Sequence, residues 1–512
     1  MSNILHVFEL KSVLLHPWSA LASLLLLIFV TKWCFFTYTT RNKHFPPSPS
    51  KLPVIGNLHQ IGLLPHRSLH SMAQRYGPIM LLRLGKVPTL VVSSADVARE
   101  IMKTHDIIFS NRPDSKIPKR LLYDYKDLSL APYGEYWRQM RGICMLQLLS
   151  MKRVQSFRVI REEETHLMLK KIEESCECSS LIDLSEVIAS LTNDIVCRVA
   201  FGRKYSEGEC GKKFKKLLEE FGELLGVFNV GDFIPWLGWL NYVTGLKVRV
   251  EKVFREFDDF LDGIVEEHME KKVGTIEDQK NFVDVLLEIQ KDSKNGDSVG
   301  RDGIKAIILD MFAAGTDTTY TGLEWAMTEI LRHKEVMKQV QNEIRKIIGS
   351  KPNISEVDLE KMHYLKAVIK ESFRLHPPVP LLIPRESTED VKVQGYDILA
   401  KTRVIINAWA IGRDPKYWEE PQEFRPERFL SSSIDFKGQD FQLIPFGAGR
   451  RGCPGTSFAN ATIELALASL LHKFEWAVPS EGRGTILNVT ESPGITVHRK
   501  FPLVVVATPR SL

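Results

Sequence analysis

A mainly α-helical fold with a small β-rich lobe, preceded by one N-terminal transmembrane helix, is what this 512-residue sequence predicts. Three observations carry the prediction. One is an uncharged run of twenty residues between Lys11 and Lys32. Another is helical apolar periodicity over most of residues 95–330. The third is a set of short β-type runs: MLLRLG and PTLVVSS within residues 80–94, more near 380–406, and FPLVVVATP close to the C-terminus.

The run after Lys11 ends SALASLLLLIFVT. As a helix it spans about 30 Å, the thickness of a bilayer's hydrocarbon core. Arg41, Lys43 and His44 follow it. Positive charge on that flank turns the rest of the chain toward the cytosol. A cleaved signal peptide is the competing reading; the run exceeds the usual apolar length of one, and no A-x-A site follows. Residues 1–44 are therefore read as anchor and basic flank. Residues 45–57, FPPSPSKLPVIGN, hold Pro46, Pro47, Pro49 and Pro53 and read as a stiff hinge. Residues 58–512 read as one globular domain, without an internal repeat or a long low-complexity linker.

Within that domain the polar stretch KDSKNGDSVGRDG, residues 291–303, separates two helices. FIPWLGWL, residues 233–240, has two tryptophans and no charge. It fits buried core or a second membrane contact, where indole rings favour the interface. The chain is 26% charged and 44% hydrophobic with net charge +5, ordinary for a globular protein. No basic and aromatic stripe is present, which argues against nucleic acid as a partner. The seven cysteines are odd in number and match no zinc or disulfide framework, so they fit a reducing compartment.

One cysteine stands apart. PFGAGRRGCPG, residues 445–455, surrounds Cys453 with four glycines, two prolines and two arginines. A thiolate can ligate iron through one sulfur and leave the opposite face of the metal open. Gly447, Gly449, Gly452 and Gly455 would permit close approach and positive φ. The following run, TSFANATIELALASLLHKF, has helical periodicity. Its N-terminus would aim backbone N–H groups at the sulfur and favour the thiolate. Arg451 offers a cation for a haem propionate.

Phe446, Gly449, Arg451, Cys453 and Gly455 match F-x-x-G-x-R-x-C-x-G, and here the chain resembles the cytochrome P-450 family. PPSPSKLPVIGN, AGTDTT, FRPERF and FGAGRRGCPG look like its plant A-type clan, and the resemblance covers residues 45–512. It implies the cytochrome P-450 fold, with residues 58–512 as a haem-thiolate catalytic domain, and haem b as cofactor with Cys453 its axial iron ligand. AAGTDTT, residues 313–319, lies in an apolar helical run. A threonine there can bond back to the carbonyl four residues earlier and loosen the helix. The resemblance places Ala314 and Gly315 in the groove above the iron and gives Asp317 and Thr318 to proton delivery. It makes Trp137, Arg141 and Arg385 propionate partners. It also joins Glu371, Arg374 and Arg428 in a buried structural cluster.

By family analogy the substrate pocket includes Val379, Leu381, Leu382, Ile383, Ala313 and Ile495. The first four are apolar, which implies a lipophilic small molecule held by shape. The resemblance implies a monooxygenase of plant specialised metabolism acting on a terpenoid, alkaloid, coumarin or aldoxime. Its partners would be O2, NADPH–cytochrome reductase, a flavoprotein, and membrane lipid. Its place would be the endoplasmic reticulum membrane, single-pass, with the catalytic domain cytosolic. Arg138 and Lys152 are candidates for docking the reductase. A haem-binding sensor or carrier without turnover is the alternative, against which Asp317 and Thr318 speak.

Overall fold

The structure, a computed structural model, describes residues 43–177, 181–205, 208–270, 280–291, 299–479 and 487–510, with four helical residues at 21, 23, 24 and 27. The predicted transmembrane run therefore lies almost wholly outside the described residues. Among the described residues no helix is long and apolar enough to cross a membrane.

The chain divides into two compact units, Met1–Pro46 with Lys392–Ile398, and Pro47–Val391 with Leu399–Leu512. In the smaller, a strand at Tyr396–Ile398 carries Asp397, whose carboxylate accepts from the His44 N–H at 2.7 Å. His44 stacks on Tyr396 at 4.7 Å. The larger unit holds all the candidate site residues.

Its longer helices include α1 (Pro65–Tyr76), α2 (Glu135–Ile143), α3 (Arg158–Glu177), α4 (Leu184–Phe201), α5 (Leu246–Glu270), α6 (Arg301–Arg332), α7 (Lys334–Ile348), α8 (His363–Leu375) and α9 (Thr456–Lys473). Seven strands accompany them: β1 (Ile79–Leu84), β2 (Val87–Val92), β3 (Ile182–Asp183), β4 (Arg385–Glu386), β5 (Arg403–Ile406), β6 (Phe474–Ala477) and β7 (Val504–Pro509). The predicted hairpin is there, with Ile79 opposite Val92 and Leu84 opposite Val87. It continues as a sheet of order β1-β2-β5-β4, in which β2 and β5 run parallel. A second sheet has the order β3-β7-β6. The helical body and sheet-rich lobe expected from the pattern are both present.

α6 is the axis of the body. It is buried along most of its length and packs against α4, α8 and α9. Trp325 on α6 stacks on His376 at 4.1 Å and 3°, and its indole N–H donates to the Val497 carbonyl at 2.9 Å.

The proline-rich segment departs from expectation. From Pro47 onward it is no free spacer but part of the larger unit. Leu81 N–H donates to Pro47 O at 2.9 Å, and fully buried Asn57 ties Ser50 O to the Arg83 N–H. The prolines remove donors, but carbonyls and Asn57 supply the bonds that dock the segment on β1. The FIPWLGWL tryptophans are not core either: Trp236 and Trp239 are 57% and 56% exposed.

Candidate active site

Cys453 sits on a tight return of the chain. Its N–H donates to Phe446 O at 2.9 Å. Phe446 packs edge-on against Phe373 of α8, 5.3 Å between centroids. Gly447 and Gly449 have φ of 67° and 68°. A Cβ at Gly449 would also stand 2.2 Å from Met102 O and 2.7 Å from Asp106 Oδ1, so glycine is demanded there twice over. Gly452 and Gly455 differ from the expectation, with φ of −59° and −86°. Gly455 matters by placement: a Cβ on it would lie 3.8 Å from the Cys453 Sγ.

The Cys453 side chain is exposed at its surface yet lies deep in the protein, which puts the sulfur on the wall of an internal cleft. Burial raises its pKa. The Gly455 N–H, the Arg141 charge and the Thr456 hydroxyl pull downward without overcoming it. The N–H at the start of the helix thus favours the thiolate, as the sequence reading expects, while burial works against it.

α6 supplies a second inward surface. Ala314 is the one exposed residue between Gly303 and Leu331, in the middle of a buried helix. Asp310, one turn before it, acts electrostatically on the Cys453 sulfur. The Thr318 hydroxyl donates to Ala314 O at 2.6 Å, the expected back-bond, although the helix stays continuous. Gly315 does not join the groove: a Cβ on it would lie 3.5 Å from Val196 Cγ2 of α4. Successive helical residues are turned by about 100°, so position 315 serves helix packing while 314 and 318 share a face. The Asp317 carboxylate meets His498 Nε2 at 3.2 Å. Burial opposes ionisation of Asp317, but His498 and the Thr496 hydroxyl hold its pKa below the ordinary carboxylate value.

Four arginines converge from separate elements. Arg451 donates to Ser110 O at 2.7 Å, Ala131 O at 2.6 Å and Leu128 O at 3.3 Å. Arg385 donates to Ala448 O at 2.8 Å and pairs with Asp106 at 3.3 Å. Arg141 reaches Gly452 O at 2.7 Å. Arg112 clamps Ile383 O and Pro384 O, both at 2.8 Å. Burial lowers the pKa of all four, Arg451 to about 9; neighbouring guanidinium charge adds to the effect for Arg112 and Arg451. A guanidinium stays charged at ordinary pH, and of the four only Arg385 is ion-paired among the described residues, with Asp106. Asp127 and Asp310 compensate little, because burial pushes both carboxyls up and each sits in the other's field. A surplus of buried cations beside a cleft with a thiol on its wall fits a porphyrin that brings two carboxylates and an iron.

Trp137 departs from its expected role. Its N–H, the only donor of the ring, goes to Leu128 O at 3.0 Å, and its face carries the Arg451 guanidinium at 4.2 Å. It positions Arg451 and the Leu128 carbonyl. The Glu371–Arg374–Arg428 cluster forms as expected, with both arginines on the Glu371 carboxylate.

The proposed pocket residues divide. Val379, Leu382, Ile383 and Ala313 are half-buried, and Leu382 turns through φ 51° so that its Cδ1 lies 3.8 Å from where a Cβ on Gly447 would stand. Ile495 is exposed beside Gly226. Leu381 packs instead with Leu69, Met80 and Leu82 against the sheet, because the chain reverses at Leu382. Asp106, Arg112, Asp127, Asp310 and His498 escaped the sequence reading. Only Asp310, an acid inside the apolar run IILDMF, carried a local signal.

The family model described as Cytochrome P450 matches residues 46–503. "Cytochrome P450 736A117" of Prunus mume is 56% identical over 513 residues, covering 99% of each chain. "Norfluorocurarine oxidase" of Strychnos sp is 51% identical over 504 residues, 96% of this chain and 98% of that one. A solved zebra fish cytochrome P450 with abiraterone superposes with a TM-score of 0.74 at 26% identity, covering 88% of this chain and all of that chain.

Proposed function

Because this chain belongs to the cytochrome P450 family, in its plant A-type branch, and is a haem b monooxygenase, we propose that it oxygenates a lipophilic small molecule of plant specialised metabolism, of the terpenoid, alkaloid, coumarin or aldoxime class. Held through Cys453, the haem supplies an iron that activates dioxygen. Arg112, Arg141, Arg385 and Arg451 would neutralise its carboxylates. Ala314 leaves room at the cleft face of α6, and Thr318 and Asp317 hold protons next to it. Half-buried Val379, Leu382, Ile383 and Ala313 would grip an apolar substrate by shape and exclude water.

The observation that carries the substrate class is the half-buried apolar run 379–383, whose Leu382 approaches Gly447 of the cysteine return. A relative at 51% identity is named for oxidising norfluorocurarine, which supports a plant small molecule here. Electrons come, on this reading, from NADPH through a flavoprotein reductase. The chain resides in the endoplasmic reticulum membrane, held by its N-terminal run with the catalytic unit cytosolic. Exposed Phe228, Trp236, Trp239, Tyr242 and Val243 support a lipid contact of the large unit as well.

The test is expression with a plant reductase, spectral screening of a library of those four classes, and identification of products by mass spectrometry. A product heavier by one oxygen atom, or its dehydrated or dealkylated derivative, is expected. Binding confined to water-soluble polar compounds would overturn the substrate class.

A further inference from the structure

The turn after Ile495 continues through Val497, whose N–H donates to Pro378 O at 2.9 Å and whose carbonyl takes the Trp325 N–H at 2.9 Å. So anchored, the next residue sets its ring against α6. His498 Nε2 lies 3.2 Å from Asp317 Oδ1, and Nδ1 lies 2.8 Å from Thr321 Oγ1. The Thr321 hydroxyl donates to the Asp317 carbonyl at 2.8 Å.

The hydrogens can be counted. A hydroxyl has one to give; beside a neutral ring Thr321 can turn its hydrogen to Nδ1, whereas in the charged state proposed below it gives that hydrogen to the backbone. Toward His498 it offers a lone pair, so Nδ1 carries a hydrogen. Nε2 faces a carboxylate oxygen, so Nε2 carries one too. Both nitrogens are protonated only in the imidazolium.

The other groups around the ring agree. Tyr320 packs its ring 5.5 Å away. Glu324, held by Ser185 Oγ at 2.5 Å and Tyr320 Oη at 2.9 Å, adds negative field from α6. Arg499, next along the chain, spends its donors on Thr328 Oγ1, Asn488 O and Phe501 O. Burial opposes the charged ring, but Asp317 prevails and raises the His498 pKa.

We propose that His498 is a positioning residue for the reaction, an imidazolium that fixes the Asp317 carboxylate on α6 and stores the proton behind it. This rests on the monooxygenase reading. When a base develops in the cleft, the Nε2 proton passes to Asp317 Oδ1, and Asp317 in turn gives a proton to the cleft. The neutral imidazole keeps its Nδ1–H on Thr321 and recovers a proton from water, its side chain being 29% exposed. One proton enters from water and one leaves to the cleft.

The ion pair is tested by titrating the His498 ring by nitrogen-15 NMR in holoprotein labelled at histidine, which needs no turnover. The pKa is expected above the ordinary value of about 6.5, and lower by about one unit or more in Asp317→Asn. A value at or below the ordinary one, or one unmoved in Asp317→Asn, overturns the pair. The role is tested by reductase-supported oxygen uptake against pH, with no substrate added. The wild type should lose rate as pH rises through the NMR pKa. His498→Arg, a permanent cation, should keep the low-pH rate without that limb; His498→Gln should lack the limb and run several-fold slower. Superimposable wild-type and His498→Gln profiles overturn the role. Absence of uptake in the wild type would instead overturn the monooxygenase reading, and the titration would still report on the pair.

Discussion

Glu371 and Arg374, one helical turn apart on α8 and both without solvent exposure, meet in two parallel hydrogen bonds of 2.7 and 2.8 Å. The remaining Arg374 donors reach Gly412 O, Pro421 O and Glu423 O at 2.7, 2.7 and 2.9 Å, so all five are satisfied. Glu371 also accepts from Arg428 at 3.1 Å and from the Arg425 N–H at 2.7 Å. The cluster thus pins the loop at 412–428, ahead of the cysteine return, to α8.

Glu371→Ala leaves two guanidinium groups without their carboxylate, one of them wholly buried. Breaking a buried pair on one side costs about 3–5 kcal/mol. We expect loss of most holoprotein and a large fall in unfolding temperature, read by haem content and calorimetry. Arg428→Ala removes a partner that is 11% exposed, and should cost less.

Cys453→Ala should abolish the thiolate-type spectrum of the carbon monoxide adduct while the fold persists by circular dichroism. The residue is exposed on the cleft, so its truncation leaves the core packing intact. Retention of that band would refute the ligand assignment.

Thr318→Ala removes the hydroxyl bonded to Ala314 O at 2.6 Å and leaves the buried flanks of α6 untouched. Haem content and unfolding temperature should stay near wild type. The share of NADPH electrons released as hydrogen peroxide should rise several-fold, corresponding to about 1 kcal/mol of lost proton-delivery advantage. An unchanged share in a peroxide assay would remove Thr318 from the relay.

Glu491 ties the C-terminal region to α1, meeting His66 at 3.0 Å and Arg67 at 2.7 Å. Burial opposes its charge, but these two partners hold its pKa at about 2. A depressed carboxyl pKa stabilises the fold above the unfolded value of about 4.3 and loses that contribution as pH falls through the folded value. The wild type should therefore be more stable than Glu491→Gln at neutral pH. The gap between their unfolding midpoints should close between about pH 4 and pH 2.

Much of the fold was legible because periodicity is a local property: the β1–β2 hairpin, the long α6 and the helix after Cys453 all follow from spacing along the chain. The hinge was misread because proline content reports stiffness, while docking depends on a partner; Asn57 and β1 supplied it. The resemblance assigned Gly315 and Ala314 together, whereas helical rotation turns a Cβ at 315 toward Val196 and leaves Ala314 exposed. Arg112, Asp127 and His498 had no local signature, since their partners stand far away in sequence, as with His498 and Asp317.

By itself the sequence singled out Cys453 in its glycine-rich return, the back-bonding threonine and the three charges of the α8 cluster. Each of these needs a particular residue type at a set spacing within a few turns of chain. Only the tertiary structure decided which arginines crowd together, that burial opposes ionisation of the Cys453 thiol, and that an imidazole stands behind Asp317. Charge and burial are sums over groups brought near in space, and those groups come from parts of the chain that spacing alone does not relate.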